Sequence, residues 1–370
     1  MPSTLLPQRA LLRPPPSSTL TIVASLLQHH QHHHHYIQSR SYASHSTKSK
    51  SKSHSRPSSS AQPATITSTS TSTTSTTTVA NDINPPPSTR PADLSLPASL
   101  PPSSSPADKL KHYVSIGRAY LTFYKTGLKN VYHNYRAAMP LRRTLNLPTY
   151  IPSSPPTTTA SSFLKTLHST GLGRSQFQLL RRSAYDIRRM IPFSLVLIIC
   201  GEMTPLAVLA LGNAITPLTC RIPRQLEKER VKRAVRKRDA LVPVGSVTAP
   251  TVGSEAEMRV LKRMVDGEWI RTAGAGEALR ACAALGLAKT HTRPEWLVGV
   301  LYRPRLRRYA EYLEVDDGLI RSGGGVSGME AAEVRLAVEE RGGVGMGGKE
   351  SWEAEREERR WLEKWLAGKE

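Results

Sequence analysis

No acidic residue precedes Asp82 in this 370-residue chain, although seven Lys and Arg residues do. An acid-free segment rich in Arg and Ser is typical of mitochondrial transit peptides, which are removed after import. The residues Arg40 to Ser44 also resemble a cleavage site of the matrix protease. We therefore predict a transit peptide over 1–44, and an ordinary disordered basic tail is the alternative.

Large apolar side chains are scarce before residue 107, where Ser, Thr, Pro and His dominate. Such a segment buries too little apolar surface to offset the entropy that is lost on folding. We expect disorder over 45–106 and a folded protein that begins near Ala107. The histidine tract 29–35 could bind a metal by composition, but we interpret it as low complexity that is lost with the transit peptide.

The chain has only three cysteines, and they lie too far apart to form a CxxC pair. This spacing argues against a disulfide framework or a zinc site. The sequence also lacks the motifs GxxxxGK[ST], HExxH and GxSxG. We expect no enzyme activity, cofactor, metal or small-molecule substrate. Asp316 and Asp317 could form an acid/base or metal pair, but we expect them to cap or solvate a segment between helices.

The net charge of +22 is unevenly distributed along the chain. Residues 1–254 contain 31 Lys and Arg against 8 Asp and Glu, whereas residues 255–370 contain 20 against 21. A protein that binds nucleic acid over its whole surface would be basic throughout. This distribution instead favours import and contact with a membrane surface.

Only one apolar run is long enough to cross a membrane. Residues 191–219 contain a single charged side chain, Glu202, and a bilayer core requires about 20 apolar residues of helix. Basic residues flank this run, with the larger excess after it, which favours a C-terminus in the mitochondrial matrix. We predict one transmembrane helix over 191–219, and a buried helix of a soluble protein is the alternative.

Two residues inside the run are candidates for a function in the membrane. Pro205 has no N–H, so a backbone carbonyl close to Glu202 loses its helical partner. A carboxyl group at this depth could bind a cation or relay a proton. Alternatively, Glu202 is protonated and seals a kink in the helix.

The rest of the chain reads as helical, so we predict an all-α fold. Between 107 and 147, steps of three and four predict an amphipathic helix whose apolar face either lies at a bilayer interface or packs on another helix. That face consists of Leu110, Tyr113, Gly117, Tyr120, Tyr124, Leu128, Val131 and Tyr135. Residues 148–172 are rich in Pro, Ser and Thr and predict an exposed linker. Residues 221–370 predict short helices broken by Gly and Pro.

Two clusters of cations after the apolar run are candidates for contacts with phosphates of lipid or ribosomal RNA. The first cluster consists of Lys232, Arg233, Arg236, Lys237 and Arg238. The second consists of Arg303, Arg305, Arg307 and Arg308. An ordinary solvated helix surface is the alternative for both.

Several of these segments together resemble the LETM family. Ile187 to Ser194, which read IRRMIPFS, resemble the family's signature before its membrane helix. Glu202 and Pro205 match a Glu and a Pro of that helix. Leu313 to Ile320, which read LEVDDGLI, resemble the family's L-x-x-D-D-x-L-I. The resemblance covers about residues 180–370 and is to a short form without an EF-hand.

The resemblance implies a LETM-like domain over 173–370, with a 14-3-3-like helical part at 221–370 that faces the matrix and binds mitochondrial ribosomes. It also implies an inner-membrane protein that supports the insertion or export of mitochondrially made proteins. The implied partners are the mitochondrial ribosome and inner-membrane lipids, and the chain could form a homo-oligomer.

A cation/proton exchange system, for K⁺ or Ca²⁺, is the alternative function, and Glu202 and Pro205 motivate it. One span cannot enclose a pathway, so exchange would require oligomers. A structural anchor without either activity is the third possibility.

Overall fold

The computed structural model describes six stretches of the chain, which belong to one compact unit: residues 83–101, 103–150, 152–201, 216–242, 249–346 and 351–368. Within these stretches the chain forms helices and no strand, which confirms the all-α fold class. The predicted transit peptide and the candidates Glu202 and Pro205 lie outside them.

Three long or medium helices precede the gap at 202–215: α1 (Pro106–Thr144), α2 (Ala160–Ser169) and α3 (Arg174–Cys200). The helices described after it are α4 (Pro223–Leu241), α5 (Glu255–Met264), α6 (Gly267–Thr272), α7 (Ala275–Ala284), α8 (Glu295–Leu297), α9 (Arg303–Ser322), α10 (Ala331–Glu340) and α11 (Ser351–Ala367). A π-helical turn, Val298–Tyr302, joins α8 to α9.

Helix α9 lies at the centre of the apolar core. Leu306, Leu313 and Ile320 are spaced seven residues apart, so they share one face, and all three are fully buried. This helix contacts α2, α3, α6 and α7. The stacked indoles of Trp361 and Trp365, with centroids 5.4 Å apart, pack α11 into the same core. Residues from both sides of the gap therefore share one core.

Side-chain caps define where two of the core helices begin. The Ser254 hydroxyl accepts a hydrogen bond from the Glu257 N–H at 3.2 Å, and α5 starts there. The Asp266 carboxylate accepts one from the Trp269 N–H at 2.8 Å, and α6 starts there. Each cap satisfies a backbone donor that has no partner within the first helical turn.

The expectation of disorder up to residue 106 is wrong for residues 83–90. Ile83 is fully buried in the core. The Asn84 amide donates to the Gly328 carbonyl at 2.8 Å, and its oxygen accepts from the Glu330 N–H at 2.8 Å. Local composition failed here because the contacts that order this segment come from residues more than 240 positions later.

The expectation of an exposed linker over 148–172 is wrong for helix α2. Phe163 and Leu167 are buried on one face of this helix. The Phe163 ring packs against Phe177 of α3, with centroids 6.0 Å apart. The surrounding Ser and Thr residues obscured this short apolar face in the sequence.

The predicted helix over 107–147 is observed as α1, but its buried face differs from the predicted one. The buried positions of α1 are Phe123, Gly127, Val131, Asn134, Ala138 and Arg142. No side chain between Pro106 and Thr122 is buried. The predicted apolar face is therefore largely left in contact with solvent over the first half of the helix.

Helices α1 and α3 pack as an antiparallel pair. Ala138 of α1 packs against Leu179 and Leu180 near the start of α3. Further back along α1, the Gly127 carbonyl accepts a hydrogen bond from the Thr219 hydroxyl at 3.1 Å. The Leu218 N–H in turn donates to the Asp186 carboxylate of α3 at 2.6 Å.

None of the helices in the described stretches combines the length and apolarity that crossing a membrane requires. The predicted helix over 191–219 is not observed as one straight element, because α3 ends at Cys200 and Leu218–Cys220 form a 3₁₀ turn. A straight helix between residues 186 and 218 would be about 50 Å long. Because the Leu218 N–H instead lies 2.6 Å from the Asp186 carboxylate, residues 186 and 218 cannot be the two ends of one straight helix.

Candidate functional site

Helix α3 carries a row of polar side chains that points into the core. Arg174, Gln178 and Arg182 are spaced four residues apart, which places them on one face of the helix. The Arg174 guanidinium and the Gln178 amide both donate to one carboxylate oxygen of Asp316, each at 2.8 Å. All of these groups are buried.

The next residue of the row, Arg182, binds the first turn of α10. Its guanidinium donates two hydrogen bonds of 2.8 Å to the carboxylate of Glu333. Such a two-point contact fixes both position and orientation. The same guanidinium donates to the Thr89 hydroxyl at 3.1 Å, so the N-terminal segment is joined to this contact.

Arg341, which follows α10, completes the network. Its guanidinium lies 2.8 Å from the Asp316 carboxylate and 2.6 Å from that of Asp317. The Trp365 N–H donates to the other oxygen of Asp317 at 3.2 Å. The expectation that Asp316 and Asp317 cap or solvate a segment between helices is therefore wrong, because both are buried in the middle of α9.

The buried part of the network is balanced in charge, since three buried Arg face three buried carboxylates; the partly exposed Arg90 also lies 3.9 Å from Glu333. Burial by itself would raise the pKa of Asp316, but Arg174 and Arg341 hold it well below its usual range. Burial would likewise raise the pKa of Glu333, and Arg182 and Arg174 lower it. Carboxylates that stay ionised and fully paired do not exchange protons near neutral pH. We therefore interpret this network as structural. It is called the ion-pair frame below and consists of Arg174, Gln178, Arg182, Asp316, Asp317, Glu333 and Arg341.

This frame bears on the predicted single-pass topology. Residues 174–182 precede the apolar run, whereas Asp316 and Glu333 follow it, yet their side chains form buried ion pairs. One crossing of a bilayer would place the two groups on opposite sides of the membrane. A single crossing of a membrane between these residues is therefore incompatible with the ion pairs.

The residues Leu313 to Ile320 that resemble the LETM motif thus lie in α9 and supply the two carboxylates at the centre of the frame. Comparison with known proteins adds nothing to this likeness. No protein-family model, curated protein or solved structure matches the chain. The resemblance stays a prediction from the sequence.

The structure divides the first predicted cationic cluster, which lies on α4. Lys237 is buried, and its ammonium lies 2.8 Å from the Glu257 carboxylate and donates to the Val344 carbonyl. Burial lowers the pKa of Lys237, and Glu257 opposes this shift. Lys237 therefore cannot contact a phosphate in this conformation, and it instead holds α4 against α5.

The other members of this cluster differ in how accessible they are. Arg233 donates to the Glu339 carbonyl at 3.0 Å, and Arg236 forms an ion pair with Glu229. Lys232 and Arg238 are exposed and form no ion pair with any described residue. Only these two predicted members are free to bind an external anion.

Two further exposed cations on α4 belong to the same surface. Arg224 and Lys228 precede Lys232 by eight and four residues, which places them on its side of the helix. Neighbouring Glu227 is engaged by Arg230 at 3.3 Å. The cationic face of α4 is defined by Arg224, Lys228, Lys232 and Arg238, and the four-residue spacing of its first three members is visible in the sequence.

The second predicted cluster, at the start of α9, is divided in the same way. Arg303 donates to the carbonyls of Ile270 and Ala273 at 2.9 and 2.7 Å, so it caps the C-terminal end of α6. Arg307 forms an i,i+4 pair with Glu311 at 3.3 Å. Arg305 and Arg308 are exposed. This cluster thus offers fewer free cations than α4 does.

Proposed function

We propose that this chain is a LETM-like protein of the mitochondrial inner membrane that binds mitochondrial ribosomes and supports the membrane insertion of mitochondrially made proteins. In this proposal α4 to α11 form the 14-3-3-like domain of that family. The observation that carries it is the cationic face of α4, which has four exposed, unpaired cations on one helix, whereas residues 255–370 that follow are nearly neutral.

The chemistry of this face fits an RNA or ribosome surface. Phosphates bind Lys and Arg by releasing condensed counterions, which gives a strong dependence on salt. None of these four cations forms an ion pair with a described residue, so none of them must first break one. Lys237 and Arg233 brace the helix from its inner side, so the outer face is presented by a fixed element.

The proposal also includes location. The acid-free N-terminus supports import, and the apolar run at 191–219 supports attachment to the inner membrane. Since the ion-pair frame joins residues before and after that run, we place both folded parts in the matrix, where ribosomes are.

Co-sedimentation of the full chain with mitochondrial ribosomes, from detergent extracts over a series of salt concentrations, tests the proposal. The full chain is required, because a fragment that starts at residue 221 loses Arg174 and Arg182, the partners of Asp316 and Glu333. Replacing the four cations of the α4 face with Gln should weaken association and lower the slope of log affinity against log salt by about 3.

A matched variant removes the same charge from elsewhere on the domain. Arg259, Arg263, Lys289 and Arg293 are exposed, and changing all four to Gln should leave the salt slope within about 1 of the original chain. Equal losses in the two variants would show that only net charge matters, and the proposal would fail. No association at low salt would exclude it outright.

Cation/proton exchange stays a prediction from the sequence, because Glu202 and Pro205 lie outside the described residues. Glu202→Gln should leave ribosome association unchanged, whereas it should abolish any proton-coupled flux, since Gln cannot change its charge.

A further inference from the structure

The first half of α1 lacks a partner within the described part of the chain. Its apolar side chains Leu110, Tyr113, Val114 and Leu121 are exposed by 66, 59, 49 and 71 %. At 100° per residue these four fall within about 100° of the helix circumference. They form one continuous apolar stripe that the fold does not bury.

A second stripe, made of cations, runs beside the first. Its members are Lys111, Arg118, Lys125, Lys129, Arg136 and Arg143, with spacings of seven or four residues that place them in a narrow arc. All six are exposed, and none forms an ion pair with any described residue. Asp108 is the one acidic residue of this 39-residue helix.

The far end of α3 adds apolar surface at the same end of the molecule. Because α1 and α3 are antiparallel, the first half of α1 and the last turns of α3 extend in the same direction from the core. Ile191, Leu195, Ile198 and Ile199 of α3 are exposed by 55 to 80 %. The sequence beyond α3 continues the apolar run.

We propose that this end of the α1–α3 pair docks onto an anionic phospholipid bilayer, with the apolar stripe in the headgroup and acyl boundary and the cationic stripe on the lipid phosphates. An amphipathic helix with a basic flank binds membranes in this way. RNA would satisfy the cations but would leave the leucines and Val114 in water, so the exposed apolar stripe favours lipid.

The inference rests on the membrane location within the proposed function and uses no ribosome contact. It names the surface that touches the membrane and the class of lipid that the surface selects. Both folded parts approach from one side, as the ion-pair frame requires.

Depth-dependent quenching of a single label on α1 tests the docking. A polarity-sensitive dye is attached at Leu121→Cys on the apolar stripe, or at the exposed Thr126→Cys on the opposite side of the helix, in a Cys200→Ser background. Burial raises the pKa of Cys220 to about 11 and that of Cys282 to about 12, so these thiols stay unlabelled. The full chain is reconstituted into phosphatidylcholine vesicles with or without cardiolipin, both with brominated acyl chains.

In cardiolipin vesicles, the label at 121 should be quenched and the label at 126 should not. Most of the quenching at 121 should be lost in pure phosphatidylcholine, and also in cardiolipin vesicles when Lys111, Arg118, Lys125 and Lys129 are changed to Gln. Because these side chains are exposed, the variant should keep the melting temperature of the original chain, which shows that it is folded.

Three outcomes would overturn the inference. Absence of quenching at 121 in both vesicle types would show that the stripe does not reach lipid. Equal quenching in both types would show that lipid charge is not recognised. If added ribosomal RNA shields the dye at 121 from solvent and vesicles do not, the stripe would be assigned to RNA binding. The two vesicle outcomes involve no ribosomes, so they are independent of the co-sedimentation test.

Discussion

At the scale of single residues, the stability of the fold depends on buried ion pairs whose partners lie far apart in the sequence. Asp316 accepts from Arg174 and Gln178 through one oxygen and from Arg341 through the other. Removing one member of a buried ion pair costs more than the pair contributes, because it leaves the partner charge buried and uncompensated.

Asp316→Asn should therefore destabilise the folded chain by about 3–5 kcal/mol at pH 7. The depressed pKa of Asp316 gives the pH dependence: its contribution is fully present above the unfolded-state pKa of about 3.8 and is lost as the pH falls toward the folded-state value. The gap between original and variant should thus shrink below about pH 4.

Denaturant unfolding of the purified chain at pH 7 and at pH 3.5 measures this gap. Glu314→Gln is the matched control, because Glu314 lies on the same helix and is exposed. A gap that stays constant with pH, or a control that is equally destabilised, would contradict the assigned role of Asp316.

At the scale of helices, Gly127 allows α1 to pack closely against the turn Leu218–Cys220. A methyl group at Gly127 would lie 2.9 Å from the Thr219 carbonyl oxygen and 2.8 Å from the Cys220 sulfur. Backbone atoms cannot move aside as a flexible side chain can. The absence of a side chain at this position therefore permits the contact.

Gly127→Ala should destabilise the fold by about 1–3 kcal/mol, because overpacking outweighs the gain in helix propensity. Gly117→Ala is a matched change on the same helix, where nothing lies within 4 Å of the added methyl. It should stabilise by about 0.4–1 kcal/mol. Thermal unfolding measures the change in melting temperature of each variant relative to the original chain. Equal changes in the two variants would contradict the close contact at Gly127.

The helices also show what the sequence could and could not predict. Periodicity predicted α1 to within a few residues, because its apolar positions repeat along 39 residues. It assigned the buried face only in part: Val131 is buried as predicted, whereas the other buried positions, among them Asn134 and Arg142, were not predicted. The frame was not predictable in the same way, because Arg182 and Glu333 are 151 positions apart and no local window contains both.

At the scale of the whole molecule, the buried ion pairs predict how the chain is arranged at a membrane, because they join residues before and after the apolar run. In mitoplasts, protease should treat residues 103–150 and 351–368 alike, and both should be protected while the inner membrane is intact. Antibodies against each segment, applied before and after detergent, provide the measurement. Digestion of one segment with protection of the other would restore the single crossing and contradict the ion pairs across the run.

The same long-range pairs determine when the chain can fold. A polypeptide that emerges from its N-terminus, whether during synthesis or during import, exposes Arg174 and Arg182 long before their carboxylates, which follow 142 and 151 residues later. Contacts of such high sequence separation form slowly, because loop closure precedes any stabilisation. Until the carboxylates have emerged, Arg174 and Arg182 of α3, which are buried in the folded chain, have no ion-pair partners. The buried ion pairs can therefore form completely only after residue 341 has emerged.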